Sequence, residues 1–245
     1  MEVLFWMGFG HEFSTTNKAI HKLWLVSNEN DITTITNSFA TINDLYIADG
    51  HHRCASSSLL AKEKESDLSN YFMSFLIDEN QLNIINFNRL VKSLNNQSAT
   101  ELITKISNYF TVTEVNSAAY QPTKKDEISM YLAGKWYSLI VKKGIIQNDI
   151  VSQLDPAILS NTILSPILNI RDEKTDKNIS FEAGTTPLST IKNKVDSGEY
   201  AVAFILKPIP INSLKQVADN NLSMPPKSTY IEPKLRSGLI IYPLD

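Results

Sequence analysis

Residues 49–53 read Asp-Gly-His-His-Arg and directly follow a short apolar run. A glycine ahead of a helix lets an anion approach the free backbone N–H groups closely, and Arg53 offers a planar pair of donors that matches phosphate oxygens. His51 and His52 add further donors, while Asp49 can ligate Mg²⁺, orient a histidine or accept a hydroxyl proton. The pattern indicates a phosphate or metal site. The alternative is a polar helix start that Asp49 caps, with basic side chains that are solvated or paired.

A metal site built from these residues alone is the weaker interpretation. Neighbouring positions at a helix start diverge by about 100°, so Asp49, His51 and His52 do not converge easily on one ion. The single cysteine, Cys54, excludes both a Cys/His zinc cage and an intramolecular disulfide. A lone cysteine is typical of a reducing compartment, so we expect a cytoplasmic protein.

A second unusual stretch is "MPPKSTYIEPKLRSG", residues 224–238. Two prolines fix the backbone ahead of Lys227, Ser228 and Thr229, and a rigid loop of this kind suits phosphate or carboxylate groups. The alternative is a solvated surface loop stiffened by proline. A nucleotide needs donors from several directions, so we expect these three side chains to face the same cleft as the 49–53 turn. The stretch also presents Arg236, and a weaker signal places Asn88 and Arg89 at a strand end.

The hydrophobic periodicity predicts alternating strands and helices interrupted by two hairpins. A mixed α+β fold explains this order better than a doubly wound sheet. The predicted elements are strands at 21–27, 45–48, 178–184, 200–206 and 238–243, helices over 30–44, 52–65, 98–110, 155–169, 188–198 and 211–221, and hairpins over 70–91 and 127–141. We expect Asp31 to cap the first helix, a capping box at Ser98 and Glu101, and a helix that begins within two residues of His51.

Composition limits the function classes. The chain has 245 residues, of which 42% are hydrophobic and 20% charged, with a formal net charge of −3. A net charge of this sign and size is not typical of a protein that binds nucleic acid. No apolar run is long enough to span a membrane. We expect residues 1–14 to be a ragged or non-family N-terminal segment. Residues 15–145 should form an α/β part with the turn, and 146–245 a C-terminal α/β part packed against it as one unit.

The segments "LYIADGHHR", "NFNRLV", "GKWYSL", "LDPAILSNTILSPILNI" and "MPPKSTYIEPKLRSGL" resemble the bacterial domain-of-unknown-function family DUF1015. The resemblance runs from about Ala19 to the end of the chain. Members of this family extend further at the N-terminus, so we expect the chain to be a shortened member. Cys54 stands where the family pattern has an aromatic residue. Family membership alone names no reaction.

The 49–53 turn is also similar to the phosphate-contacting turn of the ParB, sulfiredoxin and free-serine-kinase superfamily. This resemblance implies a turn at a strand–helix junction, with Gly50, His51, His52 and Arg53 as phosphate contacts. It implies Asp49 as a magnesium or hydroxyl partner, and Asp49 and His52 as catalytic groups. The serine kinases also take an acidic base from a segment before the turn, and we identify no counterpart to it here.

The resemblance implies a nucleotide-dependent phosphotransferase that uses ATP or ADP with Mg²⁺ and acts on a small hydroxyl compound, with free L-serine the first choice. This chemistry needs positioning and charge neutralisation more than covalent groups. A nucleotide-binding regulator without turnover is the alternative, and a metal-dependent hydrolase ranks third. The expected partners are a nucleotide and a small-molecule substrate, with neither nucleic acid nor membrane, and the oligomeric state is open.

Overall fold

The computed structural model describes residues 8–14, 20–64, 66–234 and 240–243. The chain divides into two compact units, Met1–Ile47 and Ala48–Asp245. No helix of the described part is long and apolar enough to cross a membrane.

The first unit contains an antiparallel hairpin of β1 (Gly8–Ser14) and β2 (Ile20–Leu25), followed by α1 (Glu29–Phe39). The strand predicted at 21–27 is confirmed. The predicted cap was wrong by one turn, because the Asn28 side chain caps α1. Asn28 Oδ1 accepts hydrogen bonds from the N–H groups of Asn30 (2.9 Å) and Asp31 (3.2 Å), so Asp31 lies inside the first turn, where a negative charge favours the helix dipole.

The second unit is mixed α+β, which confirms the predicted fold class. Its helices are α2 (His51–Glu63), α3 (Ala99–Ile106), α4 (Asp155–Leu159), α5 (Leu188–Asp196) and α6 (Ile211–Asp219). Its strands are β3 (Asn83–Ile85), β4 (Phe87–Val91), β5 (Phe110–Val115), β6 (Glu127–Leu132), β7 (Lys135–Val141), β8 (Ile179–Ala183), β9 (Val202–Ile205) and β10 (Tyr230–Glu232).

Six of these strands form an antiparallel sheet in the order β5-β7-β6-β9-β4-β8. Successive side chains of a strand point to opposite faces, and both faces are covered. In β6, Met130 packs with α3 and α4 on one face, while Tyr131 packs with α5 on the other. Two-sided burial explains why every residue of β6 and β9 is buried and why β9 is apolar without alternation. Strands from both sides of residue 146 pair within this sheet.

Predictions in the second unit that rest on residues close in sequence are largely confirmed. The 127–141 hairpin is present and turns at Ala133 and Gly134, which both have positive φ. Ser98 and Glu101 form the predicted capping box. The apolar segment 155–169 begins as a helix with Pro156 in its first turn, as predicted, but its α-helical part ends at Leu159. It continues as a π-helical turn over Ser160–Leu164.

Three predicted strand regions were wrong. Residues 45–48 and 71–78 belong to no strand of the described part of the chain, and most of their large apolar side chains are exposed. An apolar run forms a strand only where a neighbouring strand accepts its backbone hydrogen bonds, and no described strand pairs with either run. Instead of closing the 70–91 hairpin, β3 pairs with β10 from the C-terminal stretch. Residues 240–243 are also not a strand, and 238–239 lie outside the described residues.

Candidate anion-binding site

The turn before α2 has the geometry of an open helix start. Gly50 adopts a left-handed conformation (φ 85°) that strains any other residue, and its carbonyl accepts the first helical hydrogen bond from Cys54 N–H at 3.0 Å. Within the described part of the chain, no side chain caps this helix. The N–H groups of the first turn are therefore available to an anion.

Asp49 is engaged by two cations and does not cap the helix. Its Oδ2 lies 4.0 Å from Arg53 Nη2 and 3.7 Å from Lys234 Nζ. The cap predicted by the alternative interpretation is therefore wrong, whereas the pairing of Arg53 that it allowed is present. One carboxylate between two cations leaves one net positive charge beside the open end of α2.

Arg53 folds back over the glycine. A Cβ placed on Gly50 would lie 3.1 Å from Arg53 Nη2 and 3.2 Å from its Nε, which is closer than most such contacts allow. Two properties of Gly50 therefore favour glycine in this turn. It adopts a positive φ angle, and it leaves space for the Arg53 guanidinium. The Arg53 side chain is 79% exposed, so its donors can reach a ligand in solvent.

The two histidines occupy the first positions of α2. His51 and His52 are both exposed, as a role in ligand binding requires. The helix begins at His51, as the sequence predicted.

Lys234 is the residue that sequence reasoning left out of the site. It follows β10 by two positions, and its Nζ lies 4.6 Å from the centroid of the Tyr230 ring. This cation–π contact holds the side chain near the turn. The sequence feature that could have pointed to Lys234 is Glu-Pro-Lys, in which a proline fixes the backbone just before a charged residue.

The predicted contacts Lys227, Ser228 and Thr229 belong to the same C-terminal stretch, but their described contacts lie elsewhere. Lys227 Nζ sits 5.4 Å from the centroid of the Phe87 ring. The buried Ser228 hydroxyl donates to the Pro225 carbonyl at 2.6 Å and closes the loop on itself. Thr229 is half-buried. Arg236 lies outside the described residues.

The loop at 225–228 is docked on a buried ion pair. The guanidinium of Arg89, in β4, donates to the Pro226 carbonyl at 3.3 Å and to Phe87 O at 2.7 Å. Its Nε lies 3.4 Å from Glu173 Oε2, and both side chains are buried. Burial lowers the pKa of Arg89, and the attraction of Glu173 partly opposes this. The Ser160 hydroxyl, in the π-helical turn, donates to the other Glu173 oxygen.

The residues at Asp49 do not fit a magnesium site. The carboxylate already faces two cations, which compete with a metal ion for the same oxygens. No cluster of three or more His, Cys, Asp or Glu side chains suitable for a metal occurs among the residues that the structure describes. We therefore derive no step through a metal held by this chain.

The sequence was compared with protein families and curated proteins. The model of the family described as "Protein of unknown function (DUF1015)" matches residues 10–157. The chain belongs to this family. The match confirms the family named from the sequence motifs and begins nine residues before Ala19, inside β1. No curated protein matches the chain.

Several solved structures are similar to this DUF1015 member at low identity. A conserved hypothetical protein from Pyrococcus furiosus shares 16% identity over 83% of this chain and 82% of its own, with a TM-score of 0.44. A free serine kinase variant in complex with AMP shares 15% identity (83% and 79% covered, TM-score 0.45). A second variant, in complex with ADP, shares 14% identity with the same coverage and a TM-score of 0.44. Likeness at this level does not identify a ligand of this chain.

Proposed function

We propose that this chain is a nucleotide-dependent phosphotransferase that binds the phosphates of ATP or ADP at the anion site, the 49–53 turn together with Lys234. The observation that carries the proposal is the convergence of Arg53 and Lys234 at the uncapped start of α2. Two cations and free backbone N–H groups are the donors that a phosphate chain requires. Mg²⁺ would then arrive bound to the nucleotide.

The acceptor in this proposal is a small hydroxyl compound, with free L-serine as the first choice. The resemblance of the turn sequence to that of the free serine kinases is the reason for naming serine. Phosphoryl transfer is achieved chiefly by positioning and charge neutralisation, which the anion site can supply. Asp49 or His52 would receive the hydroxyl proton. We retain Gly50 and His51 as phosphate contacts and Lys227 and Thr229 as further ones, whereas the Ser228 proton is already donated to Pro225.

A second candidate is a nucleotide-binding regulator without turnover. The observation in its favour is that Arg53 and Lys234 both lie against Asp49 Oδ2, so this oxygen is already engaged with cations and is not open to an acceptor hydroxyl. Binding and turnover must therefore be measured separately.

The test begins with calorimetric titration of ADP and ATP into the wild-type protein and three variants. Arg53→Lys keeps the charge but loses the paired donors, so nucleotide affinity should fall by about 1–3 kcal/mol. Lys234→Met should weaken binding as well. Lys62→Met removes an exposed cation from the other end of the same helix and should leave the affinity unchanged. Equal affinities for all four proteins would exclude the anion site as the nucleotide site.

Turnover is then assayed by transfer of labelled phosphate from ATP or ADP to L-serine, with glycerol and L-homoserine as comparison acceptors. Formation of a phosphorylated acceptor that Arg53→Lys reduces supports the phosphotransferase. Nucleotide binding without transfer to any acceptor supports the regulator instead.

A further inference from the structure

A second cleft lies at one end of the six-stranded sheet, entirely within the second unit. Its volume is about 280 Å³, near the lower limit of small-molecule sites. It is bordered by β3, by the beginning of β4 and by the chain that leaves β9. Loops at 121–122 and 184–185 complete its wall.

Two buried asparagines line this cleft. Asn86 Nδ2 donates to Asn88 Oδ1 at 2.6 Å, and the Leu206 N–H donates to the same oxygen at 3.3 Å. Asn86 is 7% exposed and Asn88 only 1%. These bonds use the Asn88 oxygen twice, and among the described residues the Asn88 Nδ2 donor and the Asn86 Oδ1 acceptor are left for a bound molecule.

The neighbouring glycine makes room for this pair. A Cβ on Gly184 would fall 2.1 Å from Asn86 Oδ1, a distance that no side chain tolerates. The backbone N–H of Gly184 also donates to the Asn86 carbonyl at 2.8 Å. The wall is therefore fitted closely around the amide, and position 184 requires glycine although its φ is ordinary.

The 120–124 loop, which contributes to the wall of the cleft, is held in place by Glu127. This buried carboxylate accepts hydrogen bonds from the side chains of Tyr120 and Ser138 and from Thr123 and Lys124 N–H. Burial alone would raise the pKa of Glu127, but these donors outweigh it and lower the pKa to about 2. Because its oxygens are occupied, Glu127 anchors the 120–124 loop, and its carboxylate does not line the cleft.

The cleft has one charged lining residue among those described, Lys207. Its Nζ donates to Thr123 O at 3.2 Å, and the side chain is exposed. The exposed Gln121 amide and Thr185 hydroxyl lie on the same rim. A cation with amide donors favours a carboxylate, and the Asn86 acceptor favours a hydroxyl. No lining carboxylate is present to pair with an ammonium group.

We propose that this cleft binds a small hydroxycarboxylate, with the carboxylate at Lys207 and the hydroxyl at the Asn86–Asn88 pair. The ligand class follows from the lining and does not depend on the proposed function. The two sites share the strand pair β3–β10, since Asn83 of the cleft pairs with Glu232, two residues before Lys234.

The test uses the full chain without nucleotide. L-Lactate and D-glycerate are titrated while the side-chain amide signals of Asn86 and Asn88 are followed by NMR, with glycerol and L-serine as comparison compounds. Either hydroxycarboxylate should shift both signals, whereas glycerol, which lacks the carboxylate, should not. The absence of a shift with both acids, or equal binding of L-serine, would overturn the assignment.

Variants of exposed lining residues avoid disturbing the buried pair. Lys207→Met should weaken binding of the responding acid at least tenfold, and Gln121→Leu should weaken it less. Lys143→Met removes an exposed lysine outside the cleft and should bind as the wild type does. Unchanged binding in Lys207→Met would also contradict the proposal, and neither result bears on nucleotide binding at the anion site.

Discussion

Asp126 and Asp155 are like-charged neighbours at the start of α4. Burial, followed by repulsion from Asp126, raises the pKa of Asp155 to about 7, and a backbone hydrogen bond from Asp126 and the charges of Lys125 and Lys207 only partly oppose this. Asp126 has a left-handed φ of 61°, and its Oδ1 is buried without a hydrogen-bond partner among the described residues. The pair is a local source of instability whenever both groups are ionised.

This pair predicts that stability falls as the pH rises from about 4 to about 7. Asp155 releases its proton near pH 4 when unfolded and near pH 7 when folded, so the folded state holds the extra proton between these values. Asp155→Asn removes this dependence. At about pH 8 the variant should be more stable than the wild type by roughly 4 kcal/mol, from a shift of about three pKa units.

The measurement is chemical denaturation of both proteins at several pH values between about 4 and 8. Glu199→Gln, at an exposed carboxylate, serves as the control and should keep the wild-type slope. Parallel curves for wild type and Asp155→Asn would contradict the assignment of the pH dependence to Asp155.

Replacing Asp49 tests two roles separately: the effect of its charge on anion binding and its part in phosphoryl transfer. Asp49→Asn removes the carboxylate between Arg53 and Lys234, so inorganic phosphate and ADP should bind at least as tightly as to the wild type. If Asp49 receives the hydroxyl proton, phosphoryl transfer should fall by two orders of magnitude or more, in the range of general-base catalysis. Calorimetry and the transfer assay on one preparation check both effects. Weaker ADP binding would show that Asp49 is needed to position the cations.

Gly50→Ala should affect both stability and binding. The left-handed φ of 85° costs a residue with a Cβ about 1 kcal/mol, and the new Cβ would press on Arg53. We expect a modest decrease in thermal midpoint together with weaker phosphate binding. Gly144→Ala, at a φ of 81° with no neighbour within 4 Å, is the matched control. It should be destabilised without any loss of phosphate affinity.

The buried pair of Arg89 and Glu173 predicts a non-additive mutant series. Glu173→Gln leaves the Arg89 charge buried and unpaired, so the free energy of unfolding should fall by about 3–5 kcal/mol. Arg89→Met should cost a similar amount, whereas the double variant should cost less than the sum. Urea denaturation of all four proteins completes the cycle, and simple additivity would indicate that the two residues act independently.

The sequence predicted those features whose cause is local. The Ser98–Glu101 capping box, the 133–134 turn and the start of α2 depend on residues within a few positions of each other, and all three are present. Residues 45–48 and 71–78 were misassigned as strands because β-type composition does not supply a pairing partner. The pairing of β3 with β10 joins segments far apart in sequence, which no local pattern encodes.

The residues of the candidate site also fall into two groups: those that the local sequence predicts and those that long-range pairing places. The donors of the turn follow from residues 49–53 alone, and the helix begins at His51, within the predicted two residues. The sequence pointed to Lys227 in the C-terminal stretch, whereas the lysine beside Asp49 is Lys234, which also lies near a proline. Only the path of β10 brings Lys234, and not Lys227, to Asp49. The role of Arg89 was equally hidden, since a buried arginine is recognised only from its distant partner Glu173.

The connection between Lys234 and the rest of the molecule depends on a very short sheet. β10 and β3 share only three residue pairs, and neither strand belongs to the six-stranded sheet. Segments held by so few hydrogen bonds open locally without global unfolding. We therefore expect the amide protons of Tyr230 and Ile231 to exchange with solvent much faster than those of β6. A ligand that binds Lys234 should slow this exchange, so the β10 amides would report occupancy of the anion site from a distance.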